Sequence, residues 1–168
     1  RIVGLFPADI RERGYHEPFI GGGAVFFHVE PGSGSINDIN PKLMNFYRVV
    51  RDDPKALIEE ASKYRYEEGE YYELRSRYNS PGLSEVEYAA ILLYLNKTAY
   101  NGLYRVNSKG EFNVPFGRHV DPTIVKPRSI MRASRILEEI EIRCGGYDYV
   151  LDLAEEGSLC YLDPPYHP

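Results

Sequence analysis

The sequence predicts an α/β fold in which a parallel sheet lies buried under helices. Three observations carry this expectation. Short apolar runs, apolar on both faces, alternate with stretches of helical periodicity. The runs are separated by helices rather than by tight hairpin turns. The residues that look chemical, Gly21-Gly22-Gly23, Asp38 and Asp163-Pro164-Pro165-Tyr166, each follow directly on such a run. In a parallel sheet that is the carboxyl end of a strand, where ligands bind.

The elements can be justified in order. In "RIVGLFPADIRERG", Ile2, Leu5 and Phe6 read as one face of a helix whose start is missing. "YHEPFIGGGAVFFHV" reads as a strand to Phe19, a glycine turn and an apolar helix from near Ala24. "GSGSINDINPKLMNFYRVV" repeats the unit, with a strand around Ser35 to Asn37 ending at Asp38. Pro41 suits the first turn of the helix that follows, and Leu43, Phe46, Tyr47 and Val50 recur at helical spacing. Residues 54–78 are charged, rich in tyrosine and helical in pattern. Ser84 and Glu87 form a capping box, behind which Tyr88, Ile91, Leu92 and Leu95 trace a helical face to about Asn101-Gly102. "LYRVNSKGEFNVPFG" reads as a hairpin of two short strands about "NSKG". Residues 127–138 form an amphipathic helix, "IEIRC" a strand, "YVLDLA" a short helix and "SLCYL" a fully apolar strand.

Bulk composition narrows the class. The chain has 168 residues, 43% hydrophobic and 27% charged, which suits one domain with a core and an inserted lobe. No run approaches a membrane span and nothing reads as a signal peptide. Cys144 and Cys160, each inside a strand-like run, read as buried thiols of a cytoplasmic protein, and neither a disulfide framework nor a metal site is expected. The net charge of −5 argues against a generic nucleic-acid coat, but the charge is uneven. Between Lys97 and Arg135 there are eight basic and two acidic residues; elsewhere there are twelve basic and twenty-three acidic. A basic segment on an acidic body is either a solvated face or the mark of an anionic partner.

The chemistry follows from the strand tips. Gly21 and Gly23 fit a dinucleotide fingerprint, but its third glycine position holds Phe26. The turn therefore suits a nucleoside cofactor without a pyrophosphate and disfavours a nucleotide oxidoreductase. Asp38 closes the next strand and is placed to accept from ribose hydroxyls, or to serve as an acid at a helix N-terminus. In the closing tetrapeptide, two prolines remove two backbone donors and fix two φ angles. Asp163 and a free carbonyl then make a rigid pair of acceptors, and Tyr166 adds a flat stacking surface. Such a pair suits a planar amino group. Holding both of its N–H bonds directs the nitrogen lone pair out of the ring plane, toward a methyl sulfonium in line.

At this point the sequence resembles a family. "EPFIGGGAVFF", "INDIN", "LYLNKTAYNGLYRVNSKGEFNVPFG" and "YLDPPY", in that order, resemble the Dam-type, D12 class adenine-N6 DNA methyltransferases, and the likeness covers almost the whole chain. The resemblance implies a Rossmann-like S-adenosylmethionine-binding core at 1–51 and 121–168, with sheet order 3-2-1-4, and a target-recognition insert at 52–120. It implies that Pro18, Phe19, Gly21, Gly22, Gly23, Asp38, Tyr147 and Asp163 bind the cofactor. Asp163 and the carbonyl of Pro164, stiffened by Pro165, would grip the target amine, and Tyr166 would stack on an adenine flipped out of duplex DNA. Tyr100 would wedge into the gap and Asn101 would hold the orphaned partner. Arg105 would read guanine through O6 and N7. Leu103 and Pro115 would contact thymine methyls, and Arg118 the backbone or a base edge. Leu103, Arg105 and Pro115 match relatives that methylate GATC. No stable protein partner is implied, although a cognate restriction endonuclease can accompany such enzymes.

The sequence also departs from the pattern. Gly146 stands where relatives often carry an acid, which leaves Asp148 or backbone alone to face the cofactor adenine. The family's Gly-Gly-Lys motif would precede Arg1, and its further strands would follow Pro168. The chain therefore reads as an internal fragment with an open sheet edge beside its fourth strand, inactive or weakly active alone. Three rival readings share the motifs: a cytosine-N4 methyltransferase, an RNA adenine methyltransferase, and a DNA-binding remnant without catalysis.

Overall fold

A computed structural model of the chain describes residue 4 and residues 6–165. Ile2, Leu5 and Tyr166, singled out above, lie outside the described residues. The elements are β1 (Gly14–Glu17), α1 (Phe26–Val29), β2 (Ser33–Asp38), α2 (Pro41–Asp52), α3 (Pro54–Ala61), α4 (Glu68–Asn79), α5 (Glu85–Thr98), α6 (Pro127–Leu137), β3 (Ile140–Cys144), α7 (Val150–Leu153) and β4 (Leu159–Cys160). The four strands form one parallel sheet in the order β3-β2-β1-β4. The α/β class, the parallel pairing and the expected order are all met.

Local chemistry explains where the helices begin. Pro41 is the first residue of α2, where its missing N–H costs no helical bond. The Asn40 side-chain oxygen accepts from the amides of Lys42 and Leu43, two of the donors a helix start leaves orphaned. Ser84 and Glu87 form the expected reciprocal box at the start of α5. The core lies in two apolar clusters. One joins the sheet to α1, α2, α3 and α6 through residues such as Tyr15, Phe26, Ile36, Met44 and Leu137. The other joins α4 and α5 to Phe112 and Val114. Leu43, Phe46 and Tyr64 pack against both. Lys42 adds a polar joint between them. Its ammonium lies 4.2 Å from the Tyr78 ring centroid and donates to the Tyr78 carbonyl at 2.5 Å. Burial lowers its pKa.

Several expectations need correction. β1 ends at Glu17 rather than Phe19, because Pro18 has no N–H to continue the ladder. The apolar helix after the glycines is a single turn starting at Phe26, not Ala24. α5 stops at Thr98, and Asn101 adopts the left-handed region (φ 52°) within the short 3₁₀ turn that follows. The hairpin about "NSKG" is met as a chain reversal but not as two strands: it holds one antiparallel bridge, Val106–Phe112, with backbone bonds Asn113 to Arg105 and Asn107 to Glu111, and Phe116 bridges separately to Ala99. β4 shortens to Leu159–Cys160 and is only partly covered. Both cysteines are exposed rather than buried. Cys144 ends the outer strand β3, and Cys160 lies on β4 at the opposite edge of the sheet, so neither is shielded on both sides. Among the described residues no helix is long and apolar enough to cross a membrane.

Candidate functional site

The carboxyl ends of the central strands are locked together by side chains from within the sheet. Asn37, 1% exposed on β2, donates its amide to the carbonyl of Pro18 at 3.1 Å and to that of Gly145 at 3.0 Å. It thereby ties the tips of β1, β2 and β3. The Ile20 amide donates to the Asn37 carbonyl at 2.9 Å, and Tyr47 from α2 donates to the Gly21 carbonyl at 2.8 Å. These bonds fix the glycine turn. Gly21 and Gly23 adopt positive φ (46° and 69°), which glycine supplies without a Cβ penalty. A Cβ at Gly21 or Gly22 would meet no atom within 4 Å, so the turn borders open space.

Asp38 is half-buried and joins the turn directly. One carboxylate oxygen accepts from the Gly21 amide at 3.2 Å and the other from the Asn40 amide at 2.9 Å. A carboxylate offers about four lone-pair positions, so acceptor capacity remains for a ligand hydroxyl. A cleft of about 450 Å³ opens here. Gly21, Gly22, Asp38 and Asn40 line one side of it, Leu92, Leu93 and Asn96 of α5 another, and Tyr104 also reaches it. Phe19 and Tyr147 lie outside that lining and meet each other, with ring centroids 5.4 Å apart and planes at 35°. Tyr147 is 58% exposed, leaving ring surface open for stacking. Gly146 carries no acid, but a Cβ there would lie 2.6 Å from the Asp148 carboxylate, so Asp148 fills the direction in which an acid at 146 would project.

The fourth strand brings its tip beside the first. β4 pairs in parallel with β1 through Tyr15–Leu159 and His16–Cys160, and the Tyr161 amide donates to the His16 carbonyl at 2.8 Å. Asp163, Pro164 and Pro165 follow as an exposed irregular stretch next to the end of β1. The approach has an electrostatic signature at Glu17. This carboxyl is 3% exposed and accepts from the Tyr15 hydroxyl at 2.6 Å. Burial raises its pKa from 4.5 to about 7, against the lowering effect of Tyr15 and of a bond from the Phe26 backbone, and the Asp163 charge raises it further. The reading of the sequence missed Glu17 and Asn37. Neither stood out in the sequence, because β1 (GYHE) and β2 (SGSIND) hold several polar residues and only the structure shows which are buried.

The remaining predicted residues lie on the basic segment after α5. Tyr100, Asn101, Leu103, Arg105, Pro115 and Arg118 are all exposed. The Tyr100 amide donates to the Pro115 carbonyl at 2.9 Å, which sets those two side by side. Arg105 is held by Asn113, its Nε donating to Asn113 Oδ1 at 2.8 Å. The segment is anchored on α4. Asn79 donates to the Phe112 carbonyl and accepts from the Phe112 amide, while Tyr71 and Arg75 both donate to the Val114 carbonyl. Lys109, at the tip, is exposed.

Comparison with known proteins decides the family. Residues 1–168 match the D12 class N6 adenine-specific DNA methyltransferases throughout. The chain belongs to that family. It is 41% identical to the type II methyltransferase M.MjaIII of Methanocaldococcus jannaschii, over 96% of this chain and 62% of that protein. It is 42% identical to the type II methyltransferase M1.LlaDCHI of Lactococcus lactis subsp. cremoris, over 92% of this chain and 57% of the relative. A DNA adenine methylase of Vibrio cholerae is 35% identical over 90% of this chain and 56% of its own length. The chain thus spans roughly three-fifths of the curated relatives it matches.

Proposed function

We propose that the protein carrying this chain transfers a methyl group from S-adenosylmethionine to adenine N6 in double-stranded DNA, within GATC, in the cytoplasm. The observation that supports this reading is the parallel pairing of β1 with β4: the glycine turn and Asp163-Pro164-Pro165 follow the carboxyl ends of two neighbouring strands. Family membership gives the pairing its chemical meaning.

The residues fit the cofactor. Asp38 has acceptor capacity beside an open glycine turn, and Phe19 with Tyr147 offers aromatic surface. In this proposal Pro18, Phe19 and Gly21 to Gly23 line the cofactor, Asp38 accepts from its ribose hydroxyls, and Tyr147 with Asp148 faces its adenine. S-adenosylmethionine, when bound, supplies an electrophilic methyl group. Asp163 and the Pro164 carbonyl each accept one N–H of the target amine, and Pro165 keeps that backbone rigid. The pair thereby frees the nitrogen lone pair from the ring and aims it. Tyr166 stacks on the extruded base, since an amine inside the duplex cannot reach the tip.

Residues 52–120 act as the recognition insert on a core formed by 1–51 and 121–168. Tyr100 fills the gap left by the base and Asn101 holds its orphaned partner. Leu103 and Pro115 touch thymine methyls, Arg105 reads guanine, and Arg118 contacts the backbone or a base edge. The type II names of two relatives bring a cognate restriction endonuclease into the proposal as a partner system. The test is product identity. The full-length protein is incubated with S-adenosylmethionine and duplexes in which each position of GATC is varied, and the digested nucleosides are resolved by mass. N6-methyladenine from GATC alone is expected; N4-methylcytosine, methylated RNA in preference to DNA, or no methylation would overturn the reading.

A further inference from the structure

A line of hydrogen bonds runs from the glycine turn to the exposed basic segment. The Asp38 carboxylate accepts from the amides of Gly21 and Asn40. The Asn40 side chain then divides its two ends. Its oxygen caps α2, and its amide nitrogen donates to the Tyr104 hydroxyl at 2.9 Å, a bond between residues 64 apart in sequence. Tyr104 stands between Leu103 and Arg105. Its ring lies against buried Phe112, with centroids 5.6 Å apart. Asn40 and Tyr104 also line the same cleft as Gly21 and Asp38. The side chain that orders the start of α2 is therefore the one that touches the segment carrying the proposed base-reading residues.

We propose that Asn40 and Tyr104 are positioning residues: their hydrogen bond ties the orientation of Leu103 and Arg105 to the occupancy of Asp38, so that a nucleoside ligand at Asp38 tightens binding of duplex DNA. This rests on the proposed function and adds to it a coupling between the two ligands. A ribose diol on Asp38 holds the turn that carries Asn40. With Asn40 held, Tyr104 and its neighbours lose less freedom when DNA arrives. Thermodynamic linkage requires the reverse as well, so the duplex must raise nucleoside affinity by the same factor.

The experiment measures duplex affinity of the full-length protein with and without saturating S-adenosylhomocysteine, and S-adenosylhomocysteine affinity with and without a short GATC duplex. One neutral hydrogen bond sets the scale, so each affinity should rise about threefold to tenfold when the other ligand is present. Tyr104→Phe removes only the hydroxyl and keeps the ring on Phe112. Asn40→Ser keeps a good helix cap but is too short to reach Tyr104. Each should bring the enhancement close to one, whatever its effect on the affinity for S-adenosylhomocysteine alone, and the thermal midpoint of Tyr104→Phe should stay unchanged. The double variant should lose no more than either single one, because both remove the same bond. Enhancement that persists in either variant, losses that add, or wild-type affinities indifferent to the second ligand would overturn the coupling while leaving the proposed function intact. Failure of S-adenosylhomocysteine to bind at all would remove both.

Discussion

The glycine turn and the segment from Tyr100 to Arg118 are both irregular backbone, yet they are held in opposite ways. At the turn the bonds run inward: Gly21 to Asp38, Tyr47 to Gly21, Ile20 to Asn37. The neighbouring Glu17 carboxyl is sealed in the core. The segment is tied to α4 by Asn79, Tyr71 and Arg75 and to Asn40 through Tyr104, while Leu103, Arg105, Pro115 and Arg118 stay exposed. The turn is part of the fold's stability; those exposed residues of the segment are not. Substitutions at the first should move both stability and cofactor binding, whereas those at the second should move recognition alone.

The largest effect that can break this distinction concerns Glu17. Its folded pKa is raised from 4.5 to about 7. Between those values the unfolded chain releases the proton and the folded chain keeps it, so stability falls as pH rises and the full penalty is present above about pH 7. The shift corresponds to roughly 3 kcal/mol. Glu17→Gln should remove that slope, leaving the variant close to wild type near pH 4.5 and more stable than wild type at pH 8 in urea melts. Parallel stability–pH curves for the two proteins would show that Glu17 is not sealed as described.

A smaller effect is expected at Arg105, and of a different kind. Arg105→Ala should cost about 1–3 kcal/mol of discrimination against duplexes altered at the first guanine. Because Arg105 is exposed and bonded only within its own segment to Asn113, the thermal midpoint should stay within the usual range for surface changes, about 0.5 kcal/mol. Loss of stability without loss of discrimination would reverse the roles assigned to the two regions.

How much was legible in the sequence follows the same division. Most strands and helices were readable because apolar periodicity and caps are local signals, as at Pro41 and the Ser84–Glu87 box. The sheet order came from the family resemblance. The segment pairs with itself only around Val106 and Phe112, and does not extend into two strands, because its backbone at Phe112 and Val114 is satisfied from outside it. Asn79 takes both backbone groups of Phe112, and Tyr71 with Arg75 takes the Val114 carbonyl. No spacing within "LYRVNSKGEFNVPFG" reveals partners on a helix more than thirty residues away. Cysteine burial was misjudged for a related reason: the place of β3 and β4 at the sheet edges is a property of topology, not of the residues within either strand. Of the candidate site, the glycine turn and Asp38 were legible and do bond to each other, whereas Asn37, Glu17 and the Asn40–Tyr104 bond needed coordinates.

The central claim is that the tips of β1 and β4 form one site with separable tasks, cofactor binding at the first and amine orientation at the second. Asp163→Ala in the full-length protein tests it directly, with S-adenosylmethionine affinity and single-turnover methyl transfer to a GATC duplex measured on the same preparation. The account predicts transfer slowed on the order of a hundredfold or more, the scale of losing one preorganised electrostatic contact, and a far smaller loss of cofactor affinity, to which Asp163 is one contact among several. Transfer at the wild-type rate by the variant would contradict it.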